Sequence, residues 1–503
     1  MTVSLTRRQA LGEMLVGTAV IAAGCGSSIA LRPDADGSTL RTTYQDPHGT
    51  GVLVPGPGEP LRDRTELGPR ARRNERLATI AHFTDAHVLD AESPARVTFL
   101  DRLGPPFQST FRPHETLTAQ VMAGALYAIR ALGPDVVIQG GDLIDNDQAN
   151  ELALALALLK GGPAQPGSGP PGYFGVQSPV DADPFYYRPD LDAPRHPGLL
   201  QAATRRFTGP GAGAAWLPVL GDHDILVAGE IVPTAQTRAL ALGDHAVWDF
   251  PPNLTAPAGL LTSGAGYSPD GPPSAELVEH FLGQALQAPK VRVPPDPHRR
   301  QLGAAEVVAG LGAASGQRSR DAALDYSRDL GAHVRLIVLD LARRGGGSGG
   351  LVHPGQPAWL AGELEAAGDR WILVISHQPL TDAEGGAQIL ELLDGHPRVI
   401  AAISGHTHRN RIGARPTEAG GYWLISTASL IDYPQQARAL RIFATAGDGV
   451  AIETWMLDHV FPGDLGTTSR QLAYLDAQGG RPEVFAGDPL DRNVTLYRSA
   501  VRG

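Results

Sequence analysis

Residues 399–408 are VIAAISGHTH, an apolar run that ends in a Gly-His-x-His turn. The run has the length and composition of a buried β-strand. Alternate residues of an extended turn can direct two imidazoles, those of His406 and His408, toward one region. This stretch therefore predicts a strand whose end carries metal ligands.

Four other segments have the same form, in which a short apolar run ends in a turn that supplies Asp or His. The runs are 77–84, 135–139, 216–220 and 371–375, and the turns are Asp85-Ala86-His87, Gly141-Asp142, Gly221-Asp222-His223-Asp224 and Ser376-His377-Gln378-Pro379. A single Asp-x-His turn carries almost no weight, because a turn with a hydrogen-bonded histidine is far commoner than a metal ligand. Five such segments, each directly after a strand, indicate one shared site.

Helical periodicity fills several intervals between these runs, at 114–132, 148–159, 275–286, 357–367 and 387–393. Further strands are predicted at 334–339 and 422–426, and Gly447-Asp448-Gly449 predicts the turn of a hairpin between 440–444 and 450–456. Alternation of strands and helices predicts an α/β fold of layered sheets. We expect this domain at 76–460, with loop insertions at about 161–213 and 228–329, and a C-terminal extension at 461–503 packed on it.

The overall composition is that of a globular protein, with 42% hydrophobic and 19% charged residues in a chain of 503. The net charge of −11 and the lack of a basic stripe argue against a stable nucleic-acid partner. Because Cys25 is the single cysteine, intrachain disulfides and Cys-rich zinc sites are excluded. Metal ligands must therefore come from His, Asp, Glu or Asn.

The first 25 residues resemble an export signal with a lipoprotein cleavage box. Thr6-Arg7-Arg8-Gln9-Ala10-Leu11 is similar to a twin-arginine signal, and the apolar run 14–23 is too short for a permanent membrane span. Ala22-Ala23-Gly24-Cys25 resembles the box, with Cys25 as the lipid-bearing residue and the one membrane contact. We expect an exported protein of the cell envelope or medium, with residues 26–75 as a tether; an N-terminus with an incidental arginine pair is the alternative.

The order and spacing of the five turns resemble the calcineurin-like metallophosphoesterase superfamily. Its motifs are Asp-x-His, Gly-Asp, Gly-Asn-His-Asp or -Glu, a strand-end His, and Gly-His-x-His. The similarity covers about 77–458, and the arginine pair makes the chain similar to actinobacterial metallophosphoesterases exported by the twin-arginine route. The resemblance implies a layered double β-sheet sandwich flanked by helices, with two metal ions at the strand ends.

The resemblance also implies roles for individual residues. One metal would be held by Asp85, His87, Asp142 and His408. The other would be held by Asp142, Asp222, His377 and His406, with Asp142 shared. His223 would donate a proton to the leaving alkoxide, and Asp224 would orient His223. Ligands without thiolates suit divalent or trivalent Mn, Fe, Zn or Ni, and ligand softness does not choose among them.

Asp222 departs from the family pattern, which usually has Asn at this position. A carboxylate still ligates, but it adds negative charge beside an anionic substrate and makes the metal less electrophilic. The leading hypothesis is hydrolysis of a phosphomonoester or phosphodiester outside the cytoplasmic membrane, with a phosphate ester as the partner. The alternative is a surface-tethered metal-binding module with little or no turnover; the natural substrate and the oligomeric state stay open.

Several weaker candidates lie near the motifs. Arg96 is equally compatible with a phosphate-binding fork and with a surface arginine. Asp432 is a loop acid without an assigned role. A further group is predicted to cap a helix or to line the cleft: Asn146, Gln148 and Asn150 for the cap, Arg409 and Asn410 for the cleft.

Overall fold

The structure is a computed structural model that describes residues 29–30, 36–103, 110–180, 183–251, 283–284, 288, 290–320, 322–479 and 485–500. Two large β-sheets form its centre. In spatial order, the six-stranded sheet contains Tyr326–Leu330, Val334–Leu339, Trp371–Ser376, Val399–Ser404, Tyr422–Ser426 and Arg411–Arg415. The seven-stranded sheet contains Arg62–Leu67, Val494–Arg498, Val450–Asp458, Gln436–Thr445, Arg73–Phe83, Val136–Gln139 and Trp216–Pro218.

Side-chain alternation along the central strands explains how the sheets pack. In Val334–Leu339, Leu336 and Val338 belong to the core shared by both sheets. Ile337 and Leu339 point the opposite way, into a second core beneath helices Gln356–Ala366 and Gly386–Asp394. Because successive residues of a strand face opposite sides, one apolar run fills both cores. The predicted α/β sandwich of layered sheets flanked by helices is confirmed.

Helix Thr118–Leu132 packs on the other side of the molecule, against strands of the seven-stranded sheet. It ends at Gly133, whose φ of 63° provides the left-handed conformation that closes many helices. The other α-helices of the described residues are Ala149–Lys160, Leu199–Ala203, Ala235–Ala241, Ala304–Ser315, Asp464–Gln478 and Pro489–Arg492. Short 3-10 helices are Pro94–Arg96, Thr98–Leu103, Glu115–Leu117 and Pro297–Arg299.

The segment 26–75, predicted as a tether, contains β-strands in both of its halves. Arg62–Leu67 is an edge strand of the seven-stranded sheet and pairs in parallel with Val494–Arg498. Further toward the N-terminus, Thr42–Gln45 and Val54–Pro57 form a hairpin, and Ile29–Ala30 pairs with Phe207–Thr208. Backbone pairing at a sheet edge needs no apolar side chains, so the polar composition gave no sign of it.

Both insertions contain β-strands as well as loops. Phe207–Thr208 pairs with Pro163–Ala164 in the first insertion, and His245–Val247 pairs with Lys290–Arg292 in the second. Tyr326–Leu330, placed inside the second insertion by the sequence, is an edge strand of the six-stranded sheet. The helix predicted at 275–286 lies outside the described residues, apart from 283–284. No helix in the described ranges has the length and apolar character needed to cross a membrane.

Candidate metal centre

All seven predicted metal ligands lie together where strands of the two sheets end. Neighbouring strands Arg73–Phe83, Val136–Gln139 and Trp216–Pro218 are parallel, as are Trp371–Ser376 and Val399–Ser404. Parallel neighbours present the turns after them at one edge of each sheet. The side chains gather there in groups whose ligand atoms lie within 4.8 Å of one another: Asp85, His87 and His408; Asp142, Asp222, His377 and His406; and His87, Asp142 and His223.

Backbone strain is concentrated at the same residues. Left-handed φ angles occur at Asp85, His87, Asp142, His406 and His408, with values from 41° to 64°. Such conformations are uncommon for residues other than glycine and are found where function requires them. The turns are also closely packed at Gly221, where a Cβ would lie 2.1 Å from Oδ1 of Asp142. The uncommon backbone conformations of these turns therefore serve to orient the side chains toward the site.

Hydrogen bonds fix three of the four ligand histidines in one tautomer. Their Nδ1 atoms contact an acceptor in each case: Asp145 for His87 (2.9 Å), the Gly140 carbonyl for His377 (2.9 Å) and Asp432 for His408 (2.5 Å). An acceptor on Nδ1 places the proton there and leaves the Nε2 lone pair free. In the described part of the chain, Nε2 of His87 and of His377 is buried without a hydrogen bond. These orphaned lone pairs fit a cation.

Electrostatics favours cations at this place too. Burial lowers the pKa of His377, but Asp142 and Asp85 raise it well above its usual value. Burial likewise lowers the pKa of His408, while Asp85 and Asp432 raise it to about 9. The carboxylates thus attract protons in the absence of other positive charge. Metal ions held by the same side chains would displace those protons.

His223 lies at the mouth of the site and is held by a residue other than the one predicted. Its Nδ1 is 2.9 Å from the backbone carbonyl of Asp145, and its side chain is 22% exposed. Burial lowers the pKa of His223, but Asp142, Asp145 and Asp222 raise it to about 10. The ring is also close enough to His87 and Asp142 to act as a ligand itself.

The prediction that Asp224 orients His223 is wrong. Asp224 is buried, and its Oδ1 accepts the backbone N–H groups of Leu143 and Ile144 at 2.9 and 3.2 Å. Its Oδ2 accepts the N–H of Gly221 at 2.8 Å. Consecutive side chains in a tight turn diverge, so the neighbour of His223 points away from it. Asp224 instead ties the turn after Asp142 to the turn before Asp222.

Asp222 has a donor of its own in this structure. Nε2 of Gln378 lies 3.0 Å from Oδ1 of Asp222 and 3.0 Å from the carbonyl of Ser348. The same Oδ1 faces His377 and His406, each at 3.3 Å. Gln378 therefore connects the candidate ligand Asp222 to the glycine-rich loop 345–350. Its N–H group also reduces the electron density on the carboxylate oxygen that would bind the metal.

The side chains behind the ligands carry no sequence motif that predicts their role. Asp145 received no role, and Asp432 was noted without one, although each contacts a ligand histidine. Arg96 is neither a phosphate fork nor a surface arginine, because it is buried and pairs with Asp145 and Glu115. The position of Arg96 shortly after the first motif is a sequence signal of its place beside the site.

The minor candidates lie elsewhere. Helix Ala149–Lys160 begins without a side-chain cap at Gln148, whose amide instead contacts Glu151. Oδ1 of Asn146 accepts the backbone N–H of Ala228. Asn410 is buried against Arg438, so it does not line the cleft. The exposed Arg409 follows the last ligand turn.

The sequence matches no protein-family model and no curated protein. Solved structures similar to this chain include the following three. A dimetal phosphatase from Danio rerio has 13% identity and a TM-score of 0.38, with 76% of this chain and 100% of that one covered. A structure of PhoD has 9% identity and a TM-score of 0.30, covering 86% and 81%. The Thermus thermophilus sulfate thiohydrolase SoxB has 12% identity and a TM-score of 0.29, covering 80% and 60%. Scores this low carry no argument about function, which has to come from the geometry of the site.

Proposed function

We propose that this protein is an exported metal-dependent hydrolase of phosphate esters that uses two transition-metal ions. One observation carries the proposal: seven Asp and His side chains from five separate strand ends converge in two groups of ligand atoms. The buried Nε2 atoms of His87 and His377, which make no hydrogen bond of good geometry, face Oδ2 of Asp142 at 3.6 and 3.1 Å, and a cation held between these groups would satisfy them.

The residues divide into two sets of four around a shared carboxylate. Asp85, His87, Asp142 and His408 would hold one ion, and Asp142, Asp222, His377 and His406 would hold the other. Two such ions supply Lewis acidity that neutralises phosphoryl oxygens and activates water near neutral pH. Substrates with a phosphomonoester or phosphodiester group fit this chemistry, since their anionic oxygens are what repels a nucleophile in solution.

His223 is the proposed proton donor for the leaving alkoxide. Because its Nδ1–H is engaged by the carbonyl of Asp145, the proton available for transfer is on Nε2. The side chain of His223 is 22% exposed, and its Nε2 lies 4.0 Å from Oδ2 of Asp222, beside the candidate metal ligands. In the metal-free protein Asp142, Asp145 and Asp222 raise the pKa of His223 to about 10, although burial lowers it, and this favours the imidazolium form that an acid needs.

Metal analysis and turnover together test the proposal. Purified protein should carry close to two transition-metal ions per chain, and chelation should lower its melting temperature, because a ligand that binds only the folded state stabilises it. A panel of phosphomonoesters and phosphodiesters should reveal turnover that metal restores after chelation. An Asp142→Asn variant, which changes the shared carboxylate, is the matched control and should lose metal and turnover together.

The metal-binding module is the competing interpretation, and Asp222 is the observation that favours it. A carboxylate in place of the usual Asn makes the adjacent ion less electrophilic. Two bound ions without turnover on any ester of the panel would support the module. Absence of metal, after loading of correctly folded protein, would contradict both interpretations.

A further inference from the structure

One aromatic side chain of the C-terminal extension lies against the candidate metal centre. The ring centroids of Phe485 and His408 are 5.8 Å apart, with the ring planes at 69°. Phe485 follows helix Asp464–Gln478 and belongs to none of the five strand-end turns. The side chain of His408 is 14% exposed and Phe485 is half-buried, so both retain solvent-accessible surface.

Backbone contacts hold Phe485 beside the last ligand turn. Its carbonyl accepts the N–H of Asn410 at 2.9 Å, and the carbonyl of Ala486 accepts Nδ2 of Asn410 at 3.3 Å. At Gly487, where φ is 69°, a Cβ would lie 2.2 Å from the carbonyl oxygen of Asn410. Glycine permits this close approach because it has no Cβ and tolerates a left-handed backbone. The extension is therefore fixed to the residue that follows His408 by two positions.

A second set of contacts attaches the same extension a few residues further on. Oδ1 of Asp491 accepts the N–H of Ile412 at 2.8 Å, and the carbonyl of Asp491 accepts Nη2 of Arg438 at 2.9 Å. Nη1 of Arg64 donates to the carbonyls of Ile412 and Leu490 at 2.6 and 3.2 Å. A side chain held in place before a ligand arrives loses little entropy when the ligand binds.

Phe485 and His223 lie beside different ligands of the same metal position. The ring centroid of His223 is 4.4 Å from that of His87, and the centroid of His87 is 5.4 Å from that of His408. The candidate ligands and their hydrogen-bond partners are charged or polar, whereas Phe485 adds an apolar surface. A phosphoryl group gains nothing from such a surface, but the organic group of an ester does.

We propose that Phe485 is a specificity-determining residue that contacts the organic group of the substrate, and that this protein prefers phosphate esters with an aromatic ring close to the phosphoryl group. A pair of aromatic rings in contact gains an amount that corresponds to about 2–10-fold in affinity. Because the contact exists both before and in the transition state, it lowers KM and leaves kcat unchanged. This inference rests on the proposed function, because it presupposes hydrolysis of an ester at this centre.

Benzyl phosphate and ethyl phosphate form the matched pair of substrates, or their methyl diesters if the ester panel reveals phosphodiesterase activity. Both release alkoxides of similar basicity, so they differ chiefly in the aromatic ring. Metal-loaded wild type should have the lower KM for the benzyl ester. Phe485→Ala should raise that KM about 2–10-fold without changing kcat, and should leave both constants for the ethyl ester unchanged.

Leu490→Ala is the control variant. Leu490 belongs to the same extension, is 48% exposed, and contacts Arg64 only through its carbonyl, which the substitution retains. Its constants for both esters should equal those of the wild type. If Leu490→Ala changes them as Phe485→Ala does, the effect arises from the extension as a whole and the inference is wrong.

Binding of benzylphosphonate and ethylphosphonate, measured by calorimetry, tests the contact without turnover. Phe485→Ala should weaken only the benzyl compound, and its metal content and melting temperature should stay near those of the wild type. Equal weakening of both compounds, or loss of metal, would show that Phe485 acts by orienting His408 and would overturn the inference. Unchanged binding of both would overturn it as well. Failure of metal-loaded wild type to hydrolyse any ester would instead contradict the proposed function.

Discussion

His223 contacts the backbone carbonyl of Asp145 through Nδ1, at 2.9 Å, and its Nε2 lies 4.0 Å from Oδ2 of Asp222. A carbonyl accepts and cannot donate, so Nδ1 carries a hydrogen whatever the charge of the ring. The orientation of His223 thus depends on a main-chain atom, and no substitution at position 145 can remove that acceptor.

His223→Ala should slow hydrolysis of an ester with a poor alkoxide leaving group by about 10²–10⁴-fold, the usual contribution of a general acid. The loss should be much smaller on a nitrophenyl ester, whose leaving group scarcely needs a proton. Steady-state rates on the two substrates give the comparison, and the metal content should stay near that of the wild type.

The histidine ligands provide the control for His223. His377→Ala should lose metal and slow both classes of ester alike. Should His223→Ala empty a metal position, or slow good and poor leaving groups equally, His223 is a ligand and not the proton donor.

Asp224→Ala should act on stability, because three backbone N–H groups would lose their buried acceptor. Each unsatisfied buried group costs about 1–3 kcal/mol, so urea unfolding should show at least a loss of that size. The ratio of rates on poor and good leaving groups should remain that of the wild type. A changed ratio would restore Asp224 as the residue that orients His223.

Two buried neutral histidines should make the protein sensitive to acid. Burial, reinforced by Arg438, lowers the pKa of His82 to about 3, and burial lowers that of His114 to about 4 despite the acceptor carbonyl of Ile431. In the unfolded chain both titrate near pH 6.5. Below that value the unfolded state binds more protons, so the free energy of unfolding should fall as the pH drops from about 6.5 toward 4.

Urea unfolding at pH 7, 6 and 5, with a chelator present to remove metal effects, measures this slope. His114→Gln removes one titrating group and should reduce the slope between pH 6.5 and 5. An unchanged slope in that variant would show that other groups determine the acid sensitivity.

Export is a prediction from residues 1–25, which lie outside the described part of the structure. Arg7→Lys combined with Arg8→Lys should retain the protein in the cytoplasm, as judged by cell fractionation. Cys25→Ser alone should release it from the membrane fraction. Appearance of the double variant outside the cell would contradict the twin-arginine route, and equal release of wild type and Cys25→Ser would contradict the lipid.

The sequence was informative where a ligand directly follows a strand. Parallel strands bring their following turns to a common edge, so Asp142 and His377 could be placed together from their position after apolar runs. The partners behind them could not be found in this way. Arg112 and Asp432 are 320 residues apart in the chain, and neither is part of a motif that marks it as a partner.

For the fold, too, the sequence predicted the strands with apolar runs and did not predict a strand of polar residues. Strand Val399–Ser404 was predicted to the residue, because its side chains are buried on both faces and form an unbroken apolar run. Arg62–Leu67 was missed, because five of its six residues are polar and its pairing is a backbone property. The predicted role of Asp224 was wrong for a different reason. Adjacency in sequence does not determine the direction in which a side chain points within a turn.

Strand Val494–Arg498 lies between Val450–Asp458 and Arg62–Leu67. The earliest strand of the seven-stranded sheet therefore has no neighbour to pair with until residues near 498 have left the ribosome. During synthesis the strand Arg62–Leu67 therefore stays without its pairing partner while nearly all of the domain is made. Completion of this sheet edge is therefore a late event in the folding of the domain.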